Sequence, residues 1–451
     1  MNIMKRMLSC FLLVMACQQT ALADGLYLNN LGSKASAMGG AFVGLADDFS
    51  ALYWNPAGIA RFERRSFGFF GGDLVPRGSY RRDLYSPEIG NIVLIDAETR
   101  SKHYFSGLAA YYHPLGDRWV AGIGVYTPCH FGMSWKGVDL APIADDNPSI
   151  NWMSKIWMTT ISPVVAYKMS RSILIGVSIN INHSKFDLGR YAGTFNFPLP
   201  DPPYLLPIDL GQYSESMSGW GYGATFGLLI RPNGMFSMGA TLRTASTIKY
   251  RGEARISGFP ELGAAFSRDL KNVSETEKKI TWPLWLALGG AFRPNQNLTL
   301  TADLQWTRWS TWDIIKMKYQ DPLWQSYMSE RGNDTTVISW DNTLQVRFGA
   351  EYHLSEAIVM RGGFSFAFSP AWEKKRHILL PGYDFHVMTI GVGYHFKDIR
   401  IDFGLEYATI GKSEQRTYVY PPAPSSIWES WNPGAYGMKM VAPNVSLGYR
   451  F

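Results

Sequence analysis

The side chains that could do chemistry are spread thinly along the 451-residue chain. No Gly-x-Ser-x-Gly nucleophile elbow occurs. The eight histidines, among them His113, His183, His353, His377 and His395, form no His/Glu pair at the spacing of zinc motifs, so neither a metal nor a cofactor is expected. Cys129 precedes His130, but neighbours in extended chain point to opposite faces, which argues against a thiolate pair. What does recur is charge on one face of alternating segments: Arg243, Asp303, Arg347, Glu351, Arg361, Arg400, Asp402, Glu406 and Arg450. Arginine forks suit carboxylates, so a member of this set could hold an acidic head group. Equally, the opposite charges could pair with one another and anchor something between them. Arg243, Asp303, Arg347, Arg361 and Arg400 are the candidate lumen charges, and none is singled out for a carboxylate.

These charges need a scaffold that alternates at every second residue. Leu298, Leu300, Ala302, Leu304 and Trp306 are apolar while Thr299, Thr301, Asp303 and Gln305 between them are polar; Leu344 to Tyr352 and Ile399 to Tyr407 repeat the pattern. Glycine is frequent on the polar face, as at Gly219, Gly221, Gly223 and Gly227, which suits a crowded concave interior. Charged residues make up only 18% of the chain and aromatics 14%, against about 25% charged in an ordinary soluble protein. No apolar run reaches the roughly 18 residues of a membrane helix. Strands pair across tight turns such as Pro232-Asn233-Gly234, Pro294-Asn295-Gln296, Leu354-Ser355-Glu356 and Lys397-Asp398, while the connections between pairs are far longer than ordinary loops. With Arg65 to Gly72 opening the series and Val445 to Phe451 closing it, the pattern predicts an all-β fold, a 14-stranded antiparallel transmembrane β-barrel of the bacterial outer membrane. Long loops should face outside and both ends the periplasm. The terminal Phe451 on an alternating strand fits a barrel assembly signal.

Lys5 and Arg6, the apolar run Met7 to Ala16 and Ala21-Leu22-Ala23 read as a signal peptide over residues 1–23. A lipoprotein reading at Cys17 remains open, although Met15 suits it poorly. Without the leader, 41 basic residues face 37 acidic ones, and a surplus of +4, scattered along the chain, does not suggest nucleic-acid binding. Cys129 alone would then remain, too few for a disulfide within the chain. Residues 24–62 do not alternate and are rich in small residues. A fourteen-strand barrel is too wide for its wall side chains to fill. Residues 24–62 are therefore read as a plug inside the lumen, and 63–451 as the barrel.

Within that plug, Gly25-Leu26-Tyr27-Leu28-Asn29, Gly39-Gly40-Ala41-Phe42, Ala46-Asp47-Asp48 and Asn55-Pro56-Ala57-Gly58 resemble the N-terminal hatch of the FadL/TodX family of outer-membrane channels. The resemblance implies passive uptake of hydrophobic molecules, long-chain fatty acids or aromatic hydrocarbons, by hatch rearrangement and lateral opening. It marks Asp47, Asp48, Asn55, Pro56, Ala57 and Gly58 as the hatch motif. It also points to the third strand as the lateral opening, where Gly122 and Gly124 face inward. Apolar loop residues, Phe195, Phe197, Leu205, Leu206, Trp312 and Trp324, must either pack together or bind something hydrophobic; the family reading makes them a docking groove. Expected partners are hydrophobic small molecules and outer-membrane lipid or lipopolysaccharide, with the chain a monomer. The alternative is a secretion shuttle or assembly factor on the same barrel, binding a protein through its loops. An enzyme is not expected.

Overall fold

Within a bilayer every backbone N–H and C=O has to be paired inside the protein, and a closed sheet achieves this without leaving an edge. The computed structural model describes residues 31–86, 90–198, 205–371, 376–380, 382–410 and 434–451; the leader, Cys17, Gly25 to Asn29 and 199–204 lie outside them. Fourteen antiparallel strands close into a barrel. In chain order they are β1 (Ser66–Ser86), β2 (Tyr104–Leu115), β3 (Trp119–Ser134), β4 (Met153–Lys168), β5 (Ile173–Tyr191) and β6 (Gln212–Ile230). β7 (Phe236–Arg243 and Ser246–Ile256) and β8 (Val273–Trp282 and Trp285–Phe292) are each interrupted once. β9 (Leu298–Thr307), β10 (Thr343–His353), β11 (Ile358–Ala367), β12 (Phe385–Phe396), β13 (Ile399–Ile410) and β14 (Ala435–Arg450) complete the wall. β14 closes on β1 from Ser66↔Arg450 to Arg81↔Ala435.

The tight turns are held by side chains. Asn233 Oδ1 accepts from the backbone N–H of Met235 and Phe236, and Asn295 Oδ1 from those of Asn297 and Leu298. Ser170 and Ser355 do the same with their hydroxyls. Such local acceptors satisfy donors that a two-strand reversal would otherwise strand.

At the opposite end the strands overrun the membrane. β1 has 21 residues, where a tilted strand needs about 9–11 to cross. The alternation stops near Gly72 on β1 and begins near Val445 on β14, yet pairing continues to Ser86 and back to Ala435. Beyond the lipid the outer face need not be apolar, so the sequence signal fades while the backbone ladder goes on. Inside the wall, Gly219 and Gly221 on β6 leave room for the flanking strands to meet over them. Asn182 on β5 donates to Ser246 Oγ on β7 at 3.0 Å, and Tyr250 Oη on β7 to Ser184 Oγ on β5 at 2.8 Å.

Leu31 to Phe62 fills the lumen as short helical turns, Ser33–Ala37, Ala51–Trp54 and Pro56–Arg61, nearly all of it buried. Phe49, Leu52, Trp54 and Ile59 join Leu108, Tyr112, Tyr126 and Leu174 of the wall in one apolar cluster. The inner-face glycines now have a reason. A Cβ on Gly239 would lie 2.1 Å from the Val43 carbonyl oxygen, on Gly363 2.1 Å from the Gly39 nitrogen, and on Gly176 2.4 Å from the Pro56 carbonyl carbon. Glycine lets hatch backbone lie directly on wall backbone.

Candidate transport site: hatch, seam and loop pocket

The motif residues work within the hatch. Asn55, wholly buried, accepts from the Ala57 N–H and donates its amide to the carbonyls of Val43 and Leu228, so it ties two hatch turns to β6. Pro56 starts the following turn, where a missing N–H costs nothing. Gly58 lies against Ala46: a Cβ there would meet its carbonyl oxygen at 2.1 Å. Asp48 accepts from the Ser50 N–H and hydroxyl, and burial pushes its carboxyl up. Asp47 differs because a cation touches it. Burial would raise its carboxyl, but Lys34 at 2.9 Å and the nearby Arg61 outweigh that and hold it at about 2.

The five candidate lumen charges all face the hatch or its ion-pair network. The Asp303 carboxylate accepts from the N–H groups of Phe42 and Val43, both at 2.7 Å. Arg243 donates to the Tyr53 carbonyl at 3.0 Å, its guanidinium 4.4 Å from the Tyr53 ring and 4.9 Å from that of Trp285. Arg347 donates to Gln305 and Gln345 and lies 5.2 Å from the Trp54 ring. Arg361 and Arg400 belong to a chain of ion pairs: Asp47–Lys34, Lys34–Glu351, Glu351–Arg361, Arg361–Asp402 and Asp402–Arg400, at 2.7 to 3.1 Å. It runs from hatch to wall, so the plug is held by a charge network as well as by packing.

In the third strand, Gly122 and Gly124 are paired on both sides, with Tyr112 and Val164, and with Ala110 and Ser162. Their lack of a side chain makes room for the Tyr112 ring and for Leu52 of the hatch. The ladder opens a little further along. β2 and β3 stop pairing after Leu108↔Tyr126, and the β3–β4 register shifts between Tyr126 and Cys129. Pro128, in that shift, has no N–H to offer. Tyr104 to Gly107 remain paired with β1, so a seam opens between β2 and β3. One side chain bridges it: His130 Nδ1 donates to the Phe105 carbonyl at 2.6 Å.

At the long-loop end lies an apolar cavity of about 80 Å³. Phe186, Ile280, Trp312, Met317, Trp340 and Leu379 line it, and Arg190, Glu215 and Lys278 supply its charged wall. Trp312 and Trp340 stack at 5.1 Å and 11°. Lys278 and Glu215 form a buried ion pair, with Lys278 Nζ 3.7 Å from the centre of the Phe186 ring. One side is the turn Arg376 to Leu380, tethered by Trp135 Nε1 donating to the Ile378 carbonyl and Ser154 Oγ to that of Leu379.

Residues 13–418 match the family model of the outer membrane protein transport proteins, OMPP1/FadL/TodX. The chain belongs to this family. A long-chain fatty acid transport protein of Escherichia coli O6:H1 is 22% identical, over 86% of this chain and 87% of the relative. Among solved structures, a FadL homologue of Pseudomonas aeruginosa superposes with TM-score 0.73 at 16% identity, covering 95% of this chain and 100% of that one. The Ralstonia pickettii toluene transporter TbuX gives 0.66 at 17%, covering 94% and 99%. The protein is thus an outer-membrane transport barrel.

In this FadL/TodX barrel the apolar loop residues divide. Phe195 and Phe197 pack on Phe266, and Trp324 on Phe259. These rings hold loops together. Leu205 and Leu206 stay exposed on a small hairpin, Thr194–Pro198 with Leu205–Asp209. Of the six residues, only Trp312 lines the cavity. Sequence reasoning missed Arg190, Glu215, Lys278 and Trp340. Glu215 and Lys278 lie in the outer parts of β6 and β8, beyond the strands that alternation delimits, and their approach is a tertiary fact.

Proposed function

We propose that the protein takes up hydrophobic molecules across the outer membrane, with its long loops facing outside and the loop-end cavity as the first binding station. The observation that carries this reading is an apolar cavity set above a lumen that the hatch fills. An aqueous pore would keep a polar, open lumen; an apolar pocket instead favours cargo that leaves water for its walls. Trp312 and Trp340 offer flat faces and Ile280, Met317 and Leu379 flexible aliphatic contact, so the walls match both aromatic and alkyl groups in chemical character. Onward movement requires the hatch to yield, and its polar ties at Asn55, Asp303 and Lys34 are the contacts that would rearrange. The seam at Pro128 is the candidate lateral opening, because β3 has no ladder to β2 beyond Tyr126, and at Thr127 and Pro128 its ladder to β4 is interrupted as well. Family membership supports the transport role, and the names of the fatty acid and toluene transporters suggest the cargo class.

Fluorescence titration of the purified protein with oleate or toluene tests the pocket, beside uptake of the radiolabelled compounds by cells at matched surface abundance. Replacing Trp312 and Trp340 with Ala should weaken binding by roughly tenfold, a loss of about 1.4 kcal/mol, and lower uptake. Unchanged binding and uptake of both compounds would sink the proposal and favour a loop-binding shuttle.

A further inference from the structure

Past the lipid-facing band, the outer face of the wall changes character between β6 and the loop that follows β9. On β6 the outward side chains run from Phe226 through Tyr222 to Trp220, all exposed, and such rings mark the edge of the hydrocarbon layer. β7 and β8 continue beyond that edge, where the loop strand Ile314–Tyr319 joins them by pairing with β8. Alternation there buries Ile248, Tyr250, Lys278, Ile280, Met317 and Tyr319 on the inner face. The outward set is Lys249, Arg251, Glu277, Lys279, Lys316 and Lys318.

Register places these six in two adjoining rows. Lys249 lies opposite Lys279, while Arg251 lies opposite Glu277, which on its other side faces Lys318. One further step of that ladder sets Lys316 beside Lys279. Ser218 of β6 faces Arg251, so Trp220, two residues along, stands next to Lys249. Five cations thus share one carboxylate. Glu277 meets Lys249 at 2.8 Å and Arg251 at 3.6 Å; the hydrogen bond from Lys249, and then the charges of Lys249, Arg251 and Lys318, hold its carboxyl below the usual range. Neighbouring acids do not restore the balance. Glu253 pairs with Arg255 at 2.6 Å, and Asp187 with Lys185 on β5 at 3.3 Å. With Glu253, Glu275 and Arg255 added to the two rows, six cations still face three carboxylates.

Like charges directly opposite in a ladder repel. Adjacent strands lie about 4.8 Å apart, so one phosphate can be reached by both Lys249 and Lys279, and it would turn their repulsion into two charge-assisted contacts. We propose that this outer face binds lipopolysaccharide of the outer leaflet, with lipid A phosphates held by Lys249, Lys279 and Lys316 and acyl chains lying along the apolar wall at Trp220 and Phe226. An acidic protein would meet the same charges, but the patch adjoins the aromatic edge on the side of the barrel that faces lipid. That position favours a membrane lipid. The inference takes from the uptake reading only the orientation, long loops outside, and uses no residue of the hatch, the seam or the loop cavity.

Binding is measured on the purified full-length protein in metal-free neutral detergent, with diphosphoryl lipid A, its dephosphorylated form and phosphatidylglycerol as probes and native mass spectrometry as the readout. Diphosphoryl lipid A should bind about tenfold more tightly than the dephosphorylated lipid. Lys249→Gln with Lys279→Gln should remove most of that difference, and Lys249→Arg with Lys279→Arg should keep it. Arg77→Gln with Lys439→Gln, which takes two facing cations from the β1–β14 closure, should leave binding unchanged. Equal binding of the phosphorylated and dephosphorylated lipids would overturn the proposal. So would equal binding of phosphatidylglycerol, which would mark a general attraction for anionic lipid, and an equal loss in the double variant at Arg77 and Lys439 would overturn the location. The assay contains no cargo, so its outcome stands apart from whether oleate or toluene is taken up.

Discussion

Asn55 shows how much one side chain can govern the hatch. Its amide serves three backbone groups, two in hatch turns and one on β6, and Asn55→Ala would leave the Val43 and Leu228 carbonyls and the Ala57 N–H short of a partner in a dry interior. The expected cost is about 1–3 kcal/mol of hatch seating. Hydrogen exchange over Leu31 to Phe62 should accelerate while the strands stay protected, and unchanged exchange would show that Asn55 does not hold the plug. Asp47 adds a pH dependence. Its carboxyl is lowered from 3.8 to about 2, so the folded state favours the ionised form. The resulting stabilisation is fully present above about pH 4 and is lost as pH falls through about 2. Hatch protection should therefore fade between those values, and Asp47→Asn should weaken it already at neutral pH and flatten that acid transition. Asp48, shifted upward by burial, opposes this trend. The residue types of Asp47 and Asn55 were legible in the sequence as a motif; that Lys34 is the counter-ion and Leu228 a tether was not, since Leu228 lies far along the chain on a strand.

At the scale of elements, the wall glycines separate those required by contact from those that are free. Gly124 faces Leu52 of the hatch, where a Cβ would come within 2.2 Å of Cδ2, whereas nothing lies within 4 Å of a Cβ at Gly234. Gly124→Val should loosen the turn Ala51–Trp54 and lower the melting temperature. Gly234→Ala in the exposed turn should be nearly silent, within about 0.5 kcal/mol. Equal effects of the two would refute the contact argument. Alternation located β3 as an element and glycine suggested where its pairing weakens. The break itself falls at Thr127 and Pro128, where the β3–β4 register shifts, while Gly122 and Gly124 keep both their ladders because a glycine still offers its N–H and C=O.

The whole molecule is closed by its two terminal strands, and Phe451 sits at the edge of that closure. Its N–H donates to the Arg65 carbonyl, and its own carbonyl accepts from Arg64 Nε at 2.7 Å. Deleting it leaves every β1–β14 pair from Ser66↔Arg450 onward. The deletion should accordingly lower outer-membrane abundance several-fold while shifting the melting temperature of the refolded barrel by no more than about 2–4 °C. Normal abundance would remove the terminal residue from the assembly signal. Strand number, antiparallel order and the asymmetry between turns and loops could be determined from the sequence alone, because lipid outside and a crowded lumen inside impose a period of two on every crossing segment. The type and order of residues also marked a plug. Only the tertiary structure decided how far strands extend past the membrane, and which loop aromatics hold loops together and which line a cavity. Those outcomes depend on which elements the closed barrel brings face to face, and a pattern read along one strand carries no record of its neighbours across the lumen.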